Sequence, residues 1–130
     1  MPIRGIRGAV DVASNTRREI FSKTKDLLHA MVRANRIRPD DIAAAFFTLT
    51  PDLNADFPAY AARDMGWSRV PMMCASEVAV PGAMKRVVRV MLLVHTSRPP
   101  REIRHQYMGA AARLRPDLAG AAARKPRSRR

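Results

Sequence analysis

The chain has 130 residues, enough for one domain with a modest core. Apolar residues make up 47% of it, which excludes a largely disordered protein, and the 5% of aromatic residues leaves little surface for stacking nucleic-acid bases. The net charge of +13 indicates an anionic partner, but five of these positive charges lie in residues 120–130, so the rest of the chain carries +8.

The composition also bounds the organisation and the compartment. Residues 1–118 are predicted to form a single domain, and the basic, low-complexity residues 119–130 a disordered tail. A single cysteine excludes an intrachain disulfide and fits a reducing compartment. No apolar run approaches transmembrane length, and the first residues contain no signal core. We therefore expect a cytoplasmic protein with no membrane partner.

The first predicted element is a short strand over Ile3–Val12. Apolar residues alternate there with glycine or arginine, and the glycines permit a bulge or a close backbone approach. Arg4 and Arg7 are three residues apart, so they point to opposite faces of an unbulged strand. One of the two arginines is therefore expected to face inward.

The second element is a helix. Thr16 and Glu19 form a capping-box pattern at its start. Apolar side chains then recur at helical spacing as far as about Asn35. The stripe consists of Ile20, Thr24, Leu27, Leu28, Met31 and Val32. This pattern predicts a helix that packs its stripe against the core.

The middle of the chain is predicted to contain two strands and a short helix. Ile42–Thr50 ends in Phe-Phe-Thr-Leu-Thr, which favours a strand despite its alanines, and Val70–Ala75 is a brief apolar strand. Between them a helix is expected to begin at Asp56 as N-cap. Pro58 would lie in its first turn and Gly66 just past its end.

The most apolar stretch is Val87–Thr96, which predicts a strand covered on both faces. Arg89 interrupts it, and burying a guanidinium without an anionic partner is costly because it cannot lose its charge. Three explanations are open at this point. Arg89 forms a structural ion pair, or register drift turns it to solvent, or it is aimed at an anion that the chain does not supply.

The last predicted elements are a short helical segment after Pro99 that runs through Tyr107, and an edge strand over Gly109–Leu114. The element order is then β-α-β-α-β-β-β. It predicts an α+β fold in which helices pack on a mixed β-sheet.

The sequence contains no recognisable spacing for a metal site or a catalytic triad. His29, His95 and His105 are scattered, Cys74 stands alone, and no glycine-rich loop could cradle a phosphate. What remains is a set of polar residues on or beside the predicted elements: Arg7, Arg63, Glu77, Arg89, Tyr107 and Arg115. Each of these charges, taken singly, is most simply a solvated side chain.

Several short segments, taken together, resemble one enzyme family. They occur in the order, and at nearly the spacing, of the monofunctional bacterial chorismate mutases of the trimeric α/β (pseudo-barrel) type, which differs from the all-helical type. The resemblance covers residues 3–118. The segments are Ile3–Ala9, Thr50–Leu53, Phe57–Ala59, Val70–Pro71, Arg89–Met91, Ile103–His105, Tyr107 and Leu114–Leu118.

This resemblance implies a homotrimer whose sheets pack together and whose active sites lie between subunits. It also implies the Claisen rearrangement of chorismate to prephenate, a step in aromatic amino-acid biosynthesis. The reaction occurs within one molecule and needs no nucleophile, proton shuttle, cofactor or metal. The enzyme would hold the dianionic substrate in its compact conformer and stabilise the charge that develops on the ether oxygen.

The resemblance also implies roles for individual residues. Arg89 would donate to the developing charge on the ether oxygen, and Arg7 and Tyr107 would hold the side-chain carboxylate. Glu77 would accept a hydrogen bond from the ring hydroxyl.

Other positions would complete the wall of the site. The backbone around Met73 and the side chain of Cys74 would lie alongside the substrate, while Leu114 and Arg115 would close the mouth. The neighbouring chain would supply Phe57, Ala59 and Arg63. At Tyr60 relatives can place a charged residue, so its role is left open.

Two other functions fit parts of the sequence. A small basic nucleic-acid-binding module would explain the net charge and the arginine-rich tail, although the aromatics are few and the remaining charges form no single stripe. A trimeric relative that binds a ligand without catalysis would explain the fold, although Arg7, Glu77, Arg89 and Tyr107 are all retained. The resemblance favours the enzyme, with chorismate as its partner, over a nucleic-acid partner.

Overall fold

A five-stranded mixed β-sheet forms the centre of the structure, a computed structural model that describes residues 1–118. The strands are β1 (Ile3–Asp11), β2 (Ile42–Leu49), β3 (Met72–Ser76), β4 (Val87–His95) and β5 (Gln106–Met108). Their order is β3-β2-β4-β1-β5. The central β4 runs antiparallel to β1 and β2, while β3 is parallel to β2 and β5 to β1. The predicted α+β class is confirmed, and the predicted tail lies outside the described residues.

Helix α1 spans Arg17–Asn35, as the sequence predicts. Thr16 caps its start, because the Glu19 N–H donates to Thr16 Oγ1 at 3.2 Å. Glu19 Oε1 accepts from the N–H of Ala13 at 3.1 Å, so this carboxylate orders the preceding turn and does not close the predicted capping box. Arg36 caps the C-terminus of the helix, and its left-handed backbone (φ 53°) is typical of that position.

Both helices pack on one face of the sheet. The predicted stripe of α1 packs there, buried except for the half-buried Val32, and Gly8 in β1 permits a close approach because a Cβ at this position would lie 2.5 Å from Met31 Sδ. Helix α2 (Ala59–Asp64) contacts α1 on the same side, where Lys25 Nζ lies 3.4 Å from Asp64 Oδ2. The larger of the two buried clusters therefore lies between this face and the helices.

The other face of the sheet is covered by neither helix. Its exposed apolar side chains are Ile3, Phe46, Met73 and Met91, with exposed fractions of 51, 39, 66 and 36%. Phe46 lies opposite Met91 in β4 and Met73 in β3, so the three side chains form an apolar row across three strands. Strand β4, predicted to be covered on both faces, is thus exposed on this face at Met91 within a single chain, although Val87 at its start is buried there with Ala9, Tyr107 and Ala111.

Helix α2 is shorter than predicted. It begins at Ala59, and Pro58 occupies the N-cap position that the sequence assigns to Asp56. The Asp56 carboxylate instead accepts from its neighbour Phe57 N–H at 2.7 Å and from Arg17 Nε at 3.0 Å. The carboxylate therefore orders the turn before α2 and ties it to the start of α1.

The helical segment predicted up to Tyr107 is wrong. Only Pro100–Glu102 forms a single 3-10 turn, and residues 106–108 form β5. The apolar pattern of so short a segment does not distinguish helix from strand, and the outer edge of β1 offers backbone partners for a parallel strand. Tyr107 is consequently fixed in the sheet, opposite Ala9.

The edge strand predicted over Gly109–Leu114 is also wrong, because this segment forms a 3-10 helix. Gly109 adopts φ +60°, a left-handed conformation that ends the strand. Asp11 at the end of β1 then accepts a hydrogen bond from Ala110 N–H at 2.7 Å. These two features turn the chain off the sheet directly after β5.

Candidate active site

A cleft of about 420 Å³ opens on the uncovered face of the sheet, over β1 and β4. It is lined by Arg7, Gly8, Phe46, Thr48, Arg89, Val90, Met91, Tyr107, Leu114 and Arg115. Five of the residues predicted for the site are in this set: Arg7, Arg89, Tyr107, Leu114 and Arg115. The fold thus brings together residues that are up to 108 positions apart in the sequence.

Arg89 lies on the floor of the cleft and pairs with Glu77. Its Nε is 2.9 Å from Glu77 Oε2, but the N–H is not directed at that oxygen, and this buried group has no hydrogen-bond partner among the described residues. The contact is therefore an ion pair without a well-formed hydrogen bond. Since the Arg89 side chain is 42% exposed, the pair is partly screened by solvent.

Glu77 is held in place by the edge of the sheet. It follows the last residue of β3, and its N–H donates to the Leu49 carbonyl at 2.9 Å, which continues the strand pairing. Thr48 Oγ1 donates to Glu77 Oε2 at 2.6 Å, and Thr48 lies opposite Arg89 in the β2–β4 pair. Cross-strand pairing therefore joins the three side chains into one polar group.

Sequence reasoning did not identify Thr48 as part of the site. The available signal was its position in β2, since strand periodicity places it two residues after the outward-facing Phe46. What was lacking was the register, which alone shows that this face of β2 meets Arg89 and Glu77.

Arg7 and Tyr107 form the opposite wall. Ala9 lies between Arg89 and Tyr107, because it pairs with Arg89 in β4 and with Tyr107 in β5, and Arg7 points to the same face two residues earlier. Tyr107 is 8% exposed, and Arg7 is half-buried. The register thus brings a phenol and two guanidinium groups to one cleft, donors that suit carboxylates.

Arg115 lies at the mouth of the cleft and is held by Asp117. Its Nε and Nη2 donate to the two carboxylate oxygens of Asp117 at 3.1 and 2.8 Å. This hydrogen bonding raises the pKa of Arg115 and lowers the pKa of Asp117. Both groups are open to solvent, so the pair orients the guanidinium at the mouth without fixing it strongly.

The remaining predicted residues form a second group near the other edge of the sheet. Phe57 and Tyr60 are exposed and contact each other edge to face, with ring centroids 5.5 Å apart. The Arg63 guanidinium carbon lies 5.1 Å from the centroid of the Tyr60 ring. None of these three lines the cleft of its own chain.

Ala59, Met73 and Cys74 also belong to this second group. Met73 points to the uncovered face, whereas the half-buried Cys74 points to the helix side, where its thiol meets the Ala59 backbone. Burial raises the pKa of the Cys74 thiol, which disfavours the nucleophilic thiolate. The structure therefore divides the predicted residues between the cleft and a separate surface on the same chain.

Residues 1–118 contain no group of three or more His, Cys, Asp or Glu side chains placed to hold a metal ion. Within the same range, no helix has the length and apolarity needed to cross a bilayer.

The region of the chain that matches known proteins includes both groups of residues. The family model for chorismate mutase type I matches residues 3–118. The chain is 48% identical over 120 residues to chorismate mutase AroH of Thermus thermophilus, covering 92% of this chain and 98% of that one. It is 45% identical over 119 residues to chorismate mutase AroH of Bacillus subtilis strain 168, covering 91 and 94% respectively.

The fold leads to the same family. A chorismate mutase from Clostridium thermocellum is similar in structure, with a TM-score of 0.84 and 43% identity, over 85% of this chain and 99% of that one. The family match begins at the first residue of β1 and ends at Leu118, so it includes every residue of the cleft. The chain therefore belongs to the type I chorismate mutases, isomerases that convert chorismate to prephenate.

Proposed function

We propose that chorismate binds in the cleft and that Arg89 stabilises the transition state of its rearrangement to prephenate. The position of Arg89 on the floor of the cleft, with its side chain 42% exposed, is the observation that carries this assignment. In the reaction an ether carbon–oxygen bond breaks while a carbon–carbon bond forms in the same molecule. Negative charge grows on the ether oxygen, and a donor already held in the sheet stabilises it without reorganisation.

The other residues of the cleft suit the rest of this substrate. Arg7 and Tyr107 present donors to the side-chain carboxylate, and Arg115 lies at the mouth for closure with Leu114. Glu77, fixed by Thr48, is an acceptor for the ring hydroxyl. Holding both ends of chorismate keeps the reacting carbons together, which lowers the entropic part of the barrier.

We propose that a neighbouring subunit completes each cleft. Phe57, Ala59 and Arg63 do not line the cleft of their own chain, and Phe57 is 56% exposed although it is a large apolar side chain. In a trimer this surface would face the cleft of the next subunit, on whose floor Arg89 lies. Met73 and Cys74 would then form part of the wall, and Tyr60 would support Arg63 through the stacking contact between them.

The assembly we propose is a homotrimer built on the uncovered face of the sheet. The apolar row of Met73, Phe46 and Met91 is exposed in the single chain, and covering it would remove apolar surface from water. Phe46→Glu should therefore disfavour assembly, because it would bury a carboxylate in the interface. Sedimentation equilibrium should give three chain masses for the natural protein and a smaller mass for the variant.

His29→Glu is the matched control for this prediction. His29 is exposed on α1, away from the sheet, so introducing the same glutamate there should leave the trimer intact. A natural protein that sediments as one chain with full activity would contradict the proposed trimer, and so would a Phe46→Glu variant that remains fully trimeric.

A second prediction concerns the segment that carries Leu114 and Arg115. Gly109→Ala would place a Cβ against Asp11 Oδ1 at a backbone angle of φ +60°, so the 3-10 helix should shift. The left-handed conformation alone should cost about 1–2 kcal/mol of stability. KM should rise as well, because the closing residues move. Thermal unfolding and steady-state kinetics measure the two effects.

Gly82→Ala separates backbone strain from the contact with Asp11. Gly82 has φ +82°, and an added Cβ there would meet no atom within 4 Å. This control should lose stability by strain alone and keep its KM. Equal KM values for the two variants would show that Gly109 does not position the mouth of the cleft.

We also propose that the enzyme acts in the cytoplasm. Its one cysteine, Cys74, is free and lies on β3, which suits a reducing compartment. Fractionation of cells that produce the protein tests this location, and recovery in an oxidising compartment would contradict it.

A further inference from the structure

The side chain of His105 acts as a backbone hydrogen-bond partner next to the cleft. Arg7 N–H donates to His105 Nδ1 at 2.9 Å, between residues 98 positions apart. Parallel pairing of β1 with β5 starts one step later, with Gly8 opposite Gln106. The imidazole therefore extends the pairing by one position, at the residue that carries the Arg7 guanidinium into the cleft.

This hydrogen bond exists only while Nδ1 carries no proton, because an imidazolium has two donors and no acceptor. Among the described residues, the charged groups acting on His105 are Arg7 on β1 and Arg115 at the mouth, both cationic. Helix α1 contributes the neutral Asn35, which accepts a hydrogen bond from Arg104, the residue before His105. Burial and the two arginines lower the pKa of His105, so the ring is neutral and accepts at neutral pH.

The backbone of His105 is itself held from the helix side. Asn35 is 1% exposed, and its amide accepts from Arg104 N–H at 2.8 Å and donates to the Arg104 carbonyl at 2.9 Å. The same amide donates to the Met31 carbonyl at 2.8 Å. A buried clamp on residue 104 thus fixes where the next residue's imidazole can lie, and the chain reaches Tyr107 three residues later.

We propose that His105 is a positioning residue for Arg7, which it holds through an unprotonated Nδ1. The inference rests on the proposed role of Arg7 in binding the substrate carboxylate. His105 does not touch the reacting atoms. Its contribution is to fix the backbone from which the Arg7 side chain projects, with Asn35 holding His105 in register. Protonation of the imidazole would release Arg7 N–H and weaken the binding of substrate.

Two substitutions separate the acceptor from the imidazole. His105→Leu removes the acceptor and leaves a partly buried N–H unpaired, so KM should rise roughly fivefold to thirtyfold with a smaller change in kcat. His105→Asn places Oδ1 at about the position of Nδ1 and should keep KM within roughly twofold of the natural value at neutral pH. A merely structural role would lower the melting temperature of both variants and leave KM unchanged.

The pH profile gives the decisive measurement. Between pH 8 and 5 the natural enzyme should show KM rising as pH falls below the ordinary pKa of histidine, whereas His105→Asn should lack this component. Ionisation of the substrate affects both enzymes alike, so the ratio of their KM values isolates His105. This comparison remains valid even if His105→Leu does not fold.

His29→Asn is the control, because it removes an exposed histidine of α1 and should retain the natural profile. If KM rises equally at acid pH in the natural enzyme and in His105→Asn, the inference is overturned. Arg7→Ala distinguishes this from failure of the proposed function. If KM is unchanged in Arg7→Ala, the assigned role of Arg7 falls. If KM rises in Arg7→Ala but His105→Asn shows the same rise in KM at acid pH as the natural enzyme, only the role of His105 is contradicted.

Discussion

Replacing Arg89 with alanine is expected to lower kcat by roughly a hundredfold to a thousandfold, the effect of removing one preorganised donor to a developing oxyanion. KM should change less, because binding of the carboxylates depends on Arg7, Tyr107 and Arg115. The fold should survive, since the Arg89 side chain is 42% exposed and Glu77 keeps its hydrogen bond from Thr48. Measuring kcat and the melting temperature on the same preparation separates catalysis from stability.

Arg89→Lys is the sharper form of this test. It keeps the positive charge, but an ammonium lacks the planar fork and cannot serve Glu77 and the ether oxygen with the same geometry. We expect it to recover only part of the lost rate. Recovery of the full rate would show that charge alone suffices.

The matched control is Arg101→Ala, which removes an exposed arginine from the 3-10 turn Pro100–Glu102. Its kcat should equal that of the natural enzyme.

The ion pair between Arg89 and Glu77 is also compatible with a purely structural role of Arg89, which makes a different prediction. In that case Arg89→Ala would melt at a lower temperature while the folded trimer kept nearly normal kcat, and the proposed mechanism would be wrong.

Mixed trimers should recover activity that neither parent has. Arg63→Ala and Arg89→Ala trimers are each expected to be severely impaired. If a site takes Arg89 from one chain and Arg63 from its neighbour, random mixing by refolding should leave about one site in four with both arginines. The mixture should then reach about a quarter of the natural rate, far above either parent. Activity of the parents, measured before and after the same refolding, gives the baseline.

A second mixture serves as its control. Arg7 and Arg89 line the cleft of the same chain, so every site in a mixture of Arg7→Ala and Arg89→Ala chains lacks one of them. This mixture should stay at the level of its parents. No recovery in the first mixture would show that Arg63 does not complete a neighbour's site. Equal recovery in both would show that chains do not share sites as proposed.

The parts of the site that could be predicted are those with a local or a family signal. Arg89 was noticed because it interrupts an apolar strand, which is visible within ten residues of sequence. Glu77, Tyr107 and Arg115 could be assigned only through the family resemblance, since each alone is indistinguishable from an ordinary surface residue. Thr48 and His105 were missed because their roles depend on a partner 29 and 98 residues away.

By itself the sequence determined α1, the α+β class and the family. The helix is encoded by its cap and by a stripe that repeats within one turn, so no distant contact is needed to recognise it. Tertiary structure alone decided the conformation of residues 99–114 and the open face of the sheet. A three-residue strand forms where β1 offers a free edge, and a face stays uncovered when both helices pack on the other side. Pairing between strands is non-local, so the periodicity of one strand does not specify its partner or its register.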